Sequence, residues 1–373
     1  MKIVYCITSL YNSGGMERVL SCKANYLAAQ GHEVHIITTD QRRQPTFFDL
    51  DTRIILHDLD VNHEETTGSS VWRKVSAYPF KHWRHQRRLT KLLMKLKADV
   101  VVSMFGLEVG IVPRVKDGSL KVLEYHFSKN KRLEYGRTGL WRLIDQWRTK
   151  QDERFVGLYD HFVVLTEEDK ALWGDLPNIC AIPNPLPFNS SEVSSLQERV
   201  VVAAGRYDYQ KNFEALIDIW KLLAERYPDW TLKIYGDGRL RPELEQQVQT
   251  LGLAERVRLE PPSRDMKSVY LSSSIYALTS HYEGLPMVLL EAQTMGLPIV
   301  AYACQCGPRD VISDGKDGYI IDPGDKVSFA QALERLMVDH DLRLSMGREA
   351  RKASGRYELE RVMEQWLALL KID

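Results

Sequence analysis

Apolar residues in this chain come in short dense runs separated by stretches of helical period. KIVYCIT (2–8) reads as a strand and ends in the turn NSGG. In the following MERVLSCKANYLAAQG, Val19, Ala24, Leu27 and Ala28 recur near helical spacing and Gly31 supplies a C-cap. HEVHIITTD is a second strand, so the chain opens as a βαβ unit with glycines where such units place a ligand loop. Further runs at 99–105, 121–127 and 160–166 are almost wholly apolar, as parallel strands buried on both faces must be. A second series follows with strands RVVVAAG, WTLKIYGDG, RVRLE, SIYALTS, PIVAY and GYIID, and helices from Phe213, Arg241 and Pro286. The pattern predicts an α/β protein of two Rossmann-like, doubly wound parallel-sheet domains facing a cleft. They are placed at 1–183 and 199–356, with a Pro/Ser-rich linker at 184–198 and a helix at 357–373 crossing back to the first domain.

A length of 373 residues suits two such cores. The net charge of zero conceals an asymmetry: residues 1–150 hold 25 Lys+Arg against 15 Asp+Glu, and residues 151–373 hold 25 against 35. The basic half is expected to meet an anionic partner. Five cysteines without paired spacing, no secretory pattern at the start and no run near 20 apolar residues predict a reduced, cytoplasmic chain.

Two stretches carry candidate chemistry in the second half. In AAGRYDYQKN (203–212) a strand ends on Gly205, and Arg206 and Lys211 stand five apart in the next loop. A guanidinium and an ammonium there can neutralise a diphosphate without a metal, though a solvated basic loop would look the same. In SHYEGLPMVLLEA (280–292), proline at the first helical position leaves the N–H groups near Met287 and Val288 free for an anion. Glu283 precedes that helix, and Glu291 lies just over a turn beyond Met287, in reach of a ribose diol. In the first half, Gly14 and Gly15 precede a helix without forming G-x-G-x-x-G, and EYHFS puts His126 at a strand end. The acid-x-acid pairs at 49–51 and 58–60 read as solvated turns, so no metal site is expected.

KHWRHQRRLTKLLMKLK (81–97) has seven Lys/Arg and no acid. Leu89, Leu92, Leu93 and Leu96 share one helical face, while Arg84, Arg87, Arg88, Lys91 and Lys95 share the other. Either the basic face is simply solvated, or it meets phosphates of an anionic bilayer or a lipid diphosphate. KNKRLEYGR (129–137) is a second basic patch, and Trp72, Trp83, Trp141 and Trp147 suit either an interface or a core.

GRYDYQKN, YGDGRLRPELE, HYEGLPMVLLEAQTMGLPIVA and GPRDVISDGKDGYIIDPGD together resemble the donor half of family 4 of the retaining GT-B glycosyltransferases, which use nucleotide sugars. GGMERV and EYHFS are similar to its acceptor half in order and spacing. The resemblance implies that Arg206 and Lys211 hold the donor diphosphate beside Gly205, that Glu283 belongs with the sugar or leaving group, and that Glu291 takes the ribose. It further implies that the backbone of Gly284, Leu285, Pro286, Met287 and Val288 faces sugar and phosphate, with His126 beside the reacting sugar and Gly15 near the diphosphate. RLEPPSRD (258–265) departs from the family in its paired prolines, which leaves the nucleotide base open. The implied reaction is metal-free and cofactor-free transfer of a sugar from its nucleotide diphosphate, with a hexose or N-acetylhexosamine of a UDP-sugar as the first choice of donor, to a glycan acceptor linked to a polyprenyl diphosphate. The implied location is the cytoplasmic face of the inner membrane, reached through the basic first domain. Competing readings are a non-hydrolysing sugar-nucleotide epimerase of the same architecture and a nucleic-acid binder. The acidic second half and the absence of a base-reading motif speak against the latter.

Overall fold

The computed structural model describes residues 1–63, 71–133, 138–186, 188 and 190–371, and for 71–77 and 140 the backbone alone. The chain divides into two compact units. Unit 1 is Met1–Leu165, Lys170–Pro187 and Leu359–Asp373; unit 2 is Thr166–Asp169 and Phe188–Glu358.

The first series runs β1 (Lys2–Ile7), α1 (Gly15–Ala29), β2 (Glu33–Thr38), β3 (Ile55–Asp58), α2 (Val71–Leu96), β4 (Val100–Ser103), β5 (Leu120–Tyr125), α3 (Leu140–Val156), β6 (His161–Val164), α4 (Glu167–Trp173) and β7 (Ile179–Ala181). Among the described residues its strands form a seven-stranded sheet ordered β3-β2-β1-β4-β5-β6-β7. Every pairing is parallel, β1 lying against both β2 (Val4 opposite His35) and β4 (Val4 opposite Val101). Two cores follow from the two buried faces. Leu20, Ala24 and Leu27 of α1 cover one; Leu89 and Leu93 of α2 and Val156 of α3 cover the other. β3 and β7 fall outside the strands expected from the apolar pattern. They are edge strands of four and three residues, and Ile55 and Leu56 of β3 are exposed.

The second series runs β8 (Val200–Ala204), α5 (Phe213–Ala224), β9 (Thr231–Tyr235), α6 (Arg241–Thr250), β10 (Val257–Glu260), α7 (Met266–Leu271), β11 (Ile275–Leu278), α8 (Met287–Thr294), β12 (Ile299–Tyr302), α9 (Pro308–Val311), β13 (Gly318–Ile321), α10 (Lys326–Val338) and α11 (His340–Ser354). Its parallel six-stranded sheet is ordered β10-β9-β8-β11-β12-β13. The last helix, α12 (Leu359–Leu369), returns to unit 1. Its Val362 and Met363, and Trp366 one turn further on, share one face and are buried in the α1-side core. Each such side chain is worth roughly 1.5–3 kcal/mol against leaving it in water.

The stretch 184–198 is not the free tether its composition suggests. In unit 2 the Ser194 N–H donates to the Met295 carbonyl at 2.8 Å and its hydroxyl to Ser273 O at 2.6 Å, while Arg343 donates to Leu196 O. The serines there serve as side-chain-to-backbone clasps. Residues 187 and 189 of that stretch lie outside the described residues.

Candidate active site

Strand order in each sheet reverses beside the first strand of its series, and at such a point the connecting loops part and leave a crevice at the carboxyl edge. In unit 2 the point lies between β8 and β11. The loops leaving these strands, 205–212 and 279–286, are stitched together. Asn212, at φ 51°, donates through Nδ2 to Thr279 O, the Thr279 hydroxyl donates to Asn212 O at 3.0 Å, and His281 N–H donates to Gln210 O at 2.8 Å.

Across this seam Lys211 Nζ donates to Glu283 Oε1 at 2.7 Å. Both side chains are nearly enclosed, at 14% and 6% exposure. Two charges taken out of water need more than each other. The Ser280 hydroxyl donates to the same oxygen at 2.6 Å, and Gln210 Nε2 donates to Glu283 Oε2 at 3.3 Å and to Tyr282 O. Gly205 makes room for this: a Cβ there would stand 2.8 Å from Lys211 Cε. Arg206 behaves differently from its loop neighbour. Its guanidinium is 76% exposed and, among the described residues, pairs within the loop itself, at Asp208 (3.6 Å) and Gln210. The structure therefore separates the two cations that the sequence groups together: Lys211 is already engaged with a carboxylate, and Arg206 stands in solvent.

Pro286 is the N-cap of α8 rather than its first residue, so the helix starts one position later than expected. The turn 282–286 is braced by the loop after β12. Glu283 N–H donates to Gln305 O, and only a glycine fits at 307, where φ is 98° and a Cβ would meet Pro286 Cδ at 2.3 Å. Glu291 is not on the helix surface. It is buried, and its Oε2 accepts from the Tyr270 hydroxyl at 2.8 Å. Burial pushes the phenol of Tyr276 in β11 far up; the Ala204 N–H that donates to it opposes this, and the charges of Glu291 and Glu283 add to the rise.

In unit 1, His126 follows the end of β5 directly. Its Nε2 lies 3.1 Å from Glu124 Oε1, and Lys23 Nζ of α1 donates to Glu124 Oε2 at 2.6 Å. Lys23 and Glu124 are each 1% exposed. Burial by itself would raise the Glu124 carboxyl; Lys23 and then His126 hold it below its usual range. Trp366 of α12 closes the far side of Lys23, its ring centroid 3.5 Å from Nζ. Gly15 begins α1 with open space where a Cβ would be, whereas a Cβ on Gly14 would strike the Glu17 carboxylate, which folds over the helix start.

The basic face of α2 is partly spoken for. Arg84 and Arg88 donate to the carbonyls of Asp60 and Leu59, and Arg84 also reaches the Asp60 carboxylate at 3.1 Å. Arg87 lies over the Trp83 ring at 5.4 Å, and Lys91 stands beside them. Trp83, Trp141 and Trp147 are more than half exposed, so core packing does not account for them; the side chain of Trp72 and residues 134–137 lie outside the described residues. Asp51 pairs with Arg53. No described helix is long and apolar enough to cross a membrane, and no group of three or more metal-ligating side chains occurs among the described residues.

Sequence reasoning missed Gln210, Ser280, Tyr270, Lys23 and Glu124. The last two were signalled: Lys23 sits within the apolar stripe of α1, and Glu124 interrupts the apolar run of β5.

The model for Glycosyltransferase Family 4 matches residues 13–189, and that for Glycosyl transferases group 1 matches 188–353. An uncharacterized glycosyltransferase of Haemophilus influenzae is 30% identical over 379 residues, covering 99% of both chains. A Campylobacter jejuni enzyme, named GalNAc-alpha-(1->4)-GalNAc-alpha-(1->3)-diNAcBac-PP-undecaprenol alpha-1,4-N-acetyl-D-galactosaminyltransferase, is 28% identical over 99% of this chain and 98% of its own. Among solved structures, Anabaena HepE in complex with UDP superposes with a TM-score of 0.74 at 17% identity over the whole of both chains, a likeness of fold.

Proposed function

Because the chain belongs to the glycosyl transferases group 1, which are transferases of the GT-B fold, we propose that it moves a hexose or N-acetylhexosamine from a UDP-sugar to a glycan acceptor in polysaccharide or glycoconjugate biosynthesis, with retention of configuration and without a metal. The observation that carries this reading is the Lys211–Glu283 pair at the switch point of the unit 2 sheet. An ion pair at a crevice is a cation held ready: an arriving diphosphate engages the same ammonium from its open side, and Glu283 keeps it in place.

In the reaction, the bond from the anomeric carbon to the diphosphate oxygen breaks and the electron pair leaves with the diphosphate. The acceptor hydroxyl oxygen forms the new bond on the same face, and its proton passes to the departing phosphate. Lys211, Arg206 swung in from solvent and the N–H groups at the start of α8 stabilise the charge that grows on the leaving group. Glu283, tied to Lys211, Ser280 and Gln210, serves as a stabiliser of the sugar rather than as a nucleophile. Glu291 is assigned to the ribose by way of the Tyr270 hydroxyl, His126 to the reacting sugar and Gly15 to the diphosphate.

The acceptor is assigned as a glycan on a polyprenyl diphosphate, in line with the undecaprenol-linked name of the Campylobacter relative. Phe80 and Trp83, 63% and 53% exposed, interleave with Arg87 and Lys91 on the outer face of α2. Aromatic rings among cations suit the headgroup layer of an anionic bilayer, here the cytoplasmic face of the inner membrane.

Calorimetric titration with UDP, GDP and ADP, each with and without EDTA, tests the donor assignment. UDP is expected to bind in the micromolar range regardless of EDTA, to lose binding in Lys211→Ala and to weaken about tenfold or more in Glu291→Ala, as for one charged hydrogen bond. Failure of folded protein to bind any nucleotide, or loss of binding with EDTA, overturns it.

A further inference from the structure

Unit 1 has its own switch point, between β1 and β4, and the structure opens a cavity of about 1120 Å³ there. Thr8 after β1 and the loop from Phe105 to Ile111 after β4 form its floor; Tyr78 and His82 of α2 and Trp147 and Phe155 of α3 form its walls. Five cations line it (Arg114, Lys131, Arg132, Arg148 and Arg154) and one carboxylate, Asp152, which Arg132 engages at 2.9 Å. We propose that this cavity recognises a phosphoryl group carried on an apolar or ring-bearing body, the anionic end of the acceptor, with Lys131 as its central contact. The proposal rests on the reading of the protein as a transferase with a glycan acceptor.

The charge balance carries the assignment. Among the described residues no carboxylate stands within ion-pair distance of Lys131. Its ammonium instead lies against aromatic faces, 3.4 Å from the centroid of Phe127 and 4.8 Å from that of Phe105. Burial, then the neighbouring Arg132, push Lys131 down to about 7, with Asp152 partly opposing. The charged groups that act on it are Arg132 on its own loop and Asp152 of α3; Arg148 of α3, Arg114 beyond β4 and His82 of α2 line the same cavity. A phosphoryl group there would be met by charged donors, whose bonds are stronger than neutral ones. The aromatic walls, including Tyr78 stacked on His82 at 5.7 Å, offer faces to a sugar ring or a prenyl chain. The volume exceeds that of an ordinary small-molecule pocket and suits such an extended ligand.

The test is calorimetric binding at pH 8 in two buffers of different ionisation enthalpy. The probes are farnesyl diphosphate, glucose 1-phosphate, inorganic pyrophosphate and farnesol, offered to wild type, Lys131→Met and Lys131→Arg of verified circular dichroism. At pH 8 most Lys131 is neutral, and an anion raises its pKa, so binding should take up close to one proton. Lys131→Met should weaken the phosphorylated probe about tenfold or more and abolish that uptake. Lys131→Arg should restore affinity without uptake. A response to farnesyl diphosphate identifies a lipid-linked source, and one to glucose 1-phosphate a sugar phosphate; either supports the site. Equal affinity in Lys131→Met, or farnesol binding as well as its diphosphate, overturns it. UDP titrated into the same samples separates the two ideas. UDP binding alongside Lys131-independent probes defeats the cavity alone. UDP failing to bind folded protein defeats the transferase reading, while Lys131-dependent phosphoryl binding would stand.

Discussion

At the switch point of the unit 2 sheet a nearly enclosed lysine has a carboxylate 2.7 Å away; at that of the unit 1 sheet, five cations line a cavity that holds one carboxylate. Both crevices arise from the same topology, yet their electrostatics differ. In unit 2 the charge of Lys211 is balanced within the protein, by a carboxylate that Ser280 and Gln210 also hold. In unit 1 the imbalance is left standing, which weakens the empty unit and favours an anion. A third arrangement, Lys23 with Glu124, marks the limit of the first: each is 1% exposed, with no opening through which a ligand could share the cation. Burial alone therefore does not separate the two pairs; access from a crevice does.

The contrast can be broken most sharply in unit 2. Replacing Arg206 and Lys211 together by Ala should lower kcat/KM by roughly a thousandfold or more, since two stabilisers of leaving-group charge are lost. Normal turnover of a UDP-sugar by the double variant would remove both from the chemistry. The enclosed pair should respond in stability. Lys23→Met strands the buried Glu124 charge and should cost about 3–5 kcal/mol in urea unfolding at pH 7. In the wild type the depressed carboxyl contributes stability above the ordinary value of about 4.3 and loses it as pH falls through its folded pKa. In the variant the stranded group instead takes up a proton on acidification, so the deficit should shrink from pH 7 towards pH 4. A constant deficit would show that Glu124 is not the group left unpaired. The smallest effect belongs to the outer face of α2: Arg87→Glu with Lys91→Glu should reduce flotation with anionic liposomes several-fold, each cation near such a surface being worth about 1 kcal/mol. Unchanged flotation would return that face to ordinary solvation.

The strands that were legible in the sequence are those buried on both faces, such as VVVAA of β8 and VVVS of β4. β3 and β7 were not, because they are edge strands of only four and three residues with none buried; their pairing depends on a neighbour supplied by the rest of the sheet. That Lys211 and Glu283 stand in loops at strand ends was legible, but their partnership was not. That Lys211 meets Glu283 depends on β8 and β11 being neighbours, which residue spacing does not reveal. The same applies to Glu291, whose partner Tyr270 comes from α7. Arg84 and Arg88 read as a free basic face because their acceptors are loop carbonyls, invisible in a pattern of side chains. The cavity of unit 1 was hidden more deeply, since its cations are scattered from Arg114 to Arg154 and converge only when α2 and α3 cover one face of the sheet.

The return of α12 has a consequence for the order in which the molecule is made. Apart from residues 166–169, unit 2 is one continuous stretch, whereas unit 1 is assembled from both ends of the chain. Domains otherwise tend to fold in the order of their synthesis. Here the amino-terminal sheet emerges before unit 2 and is completed after it, because the ring that covers Lys23 follows unit 2 in the chain. Until unit 2 has been made, Lys23 and the α1 side of the sheet lack the Val362, Met363 and Trp366 that complete their burial.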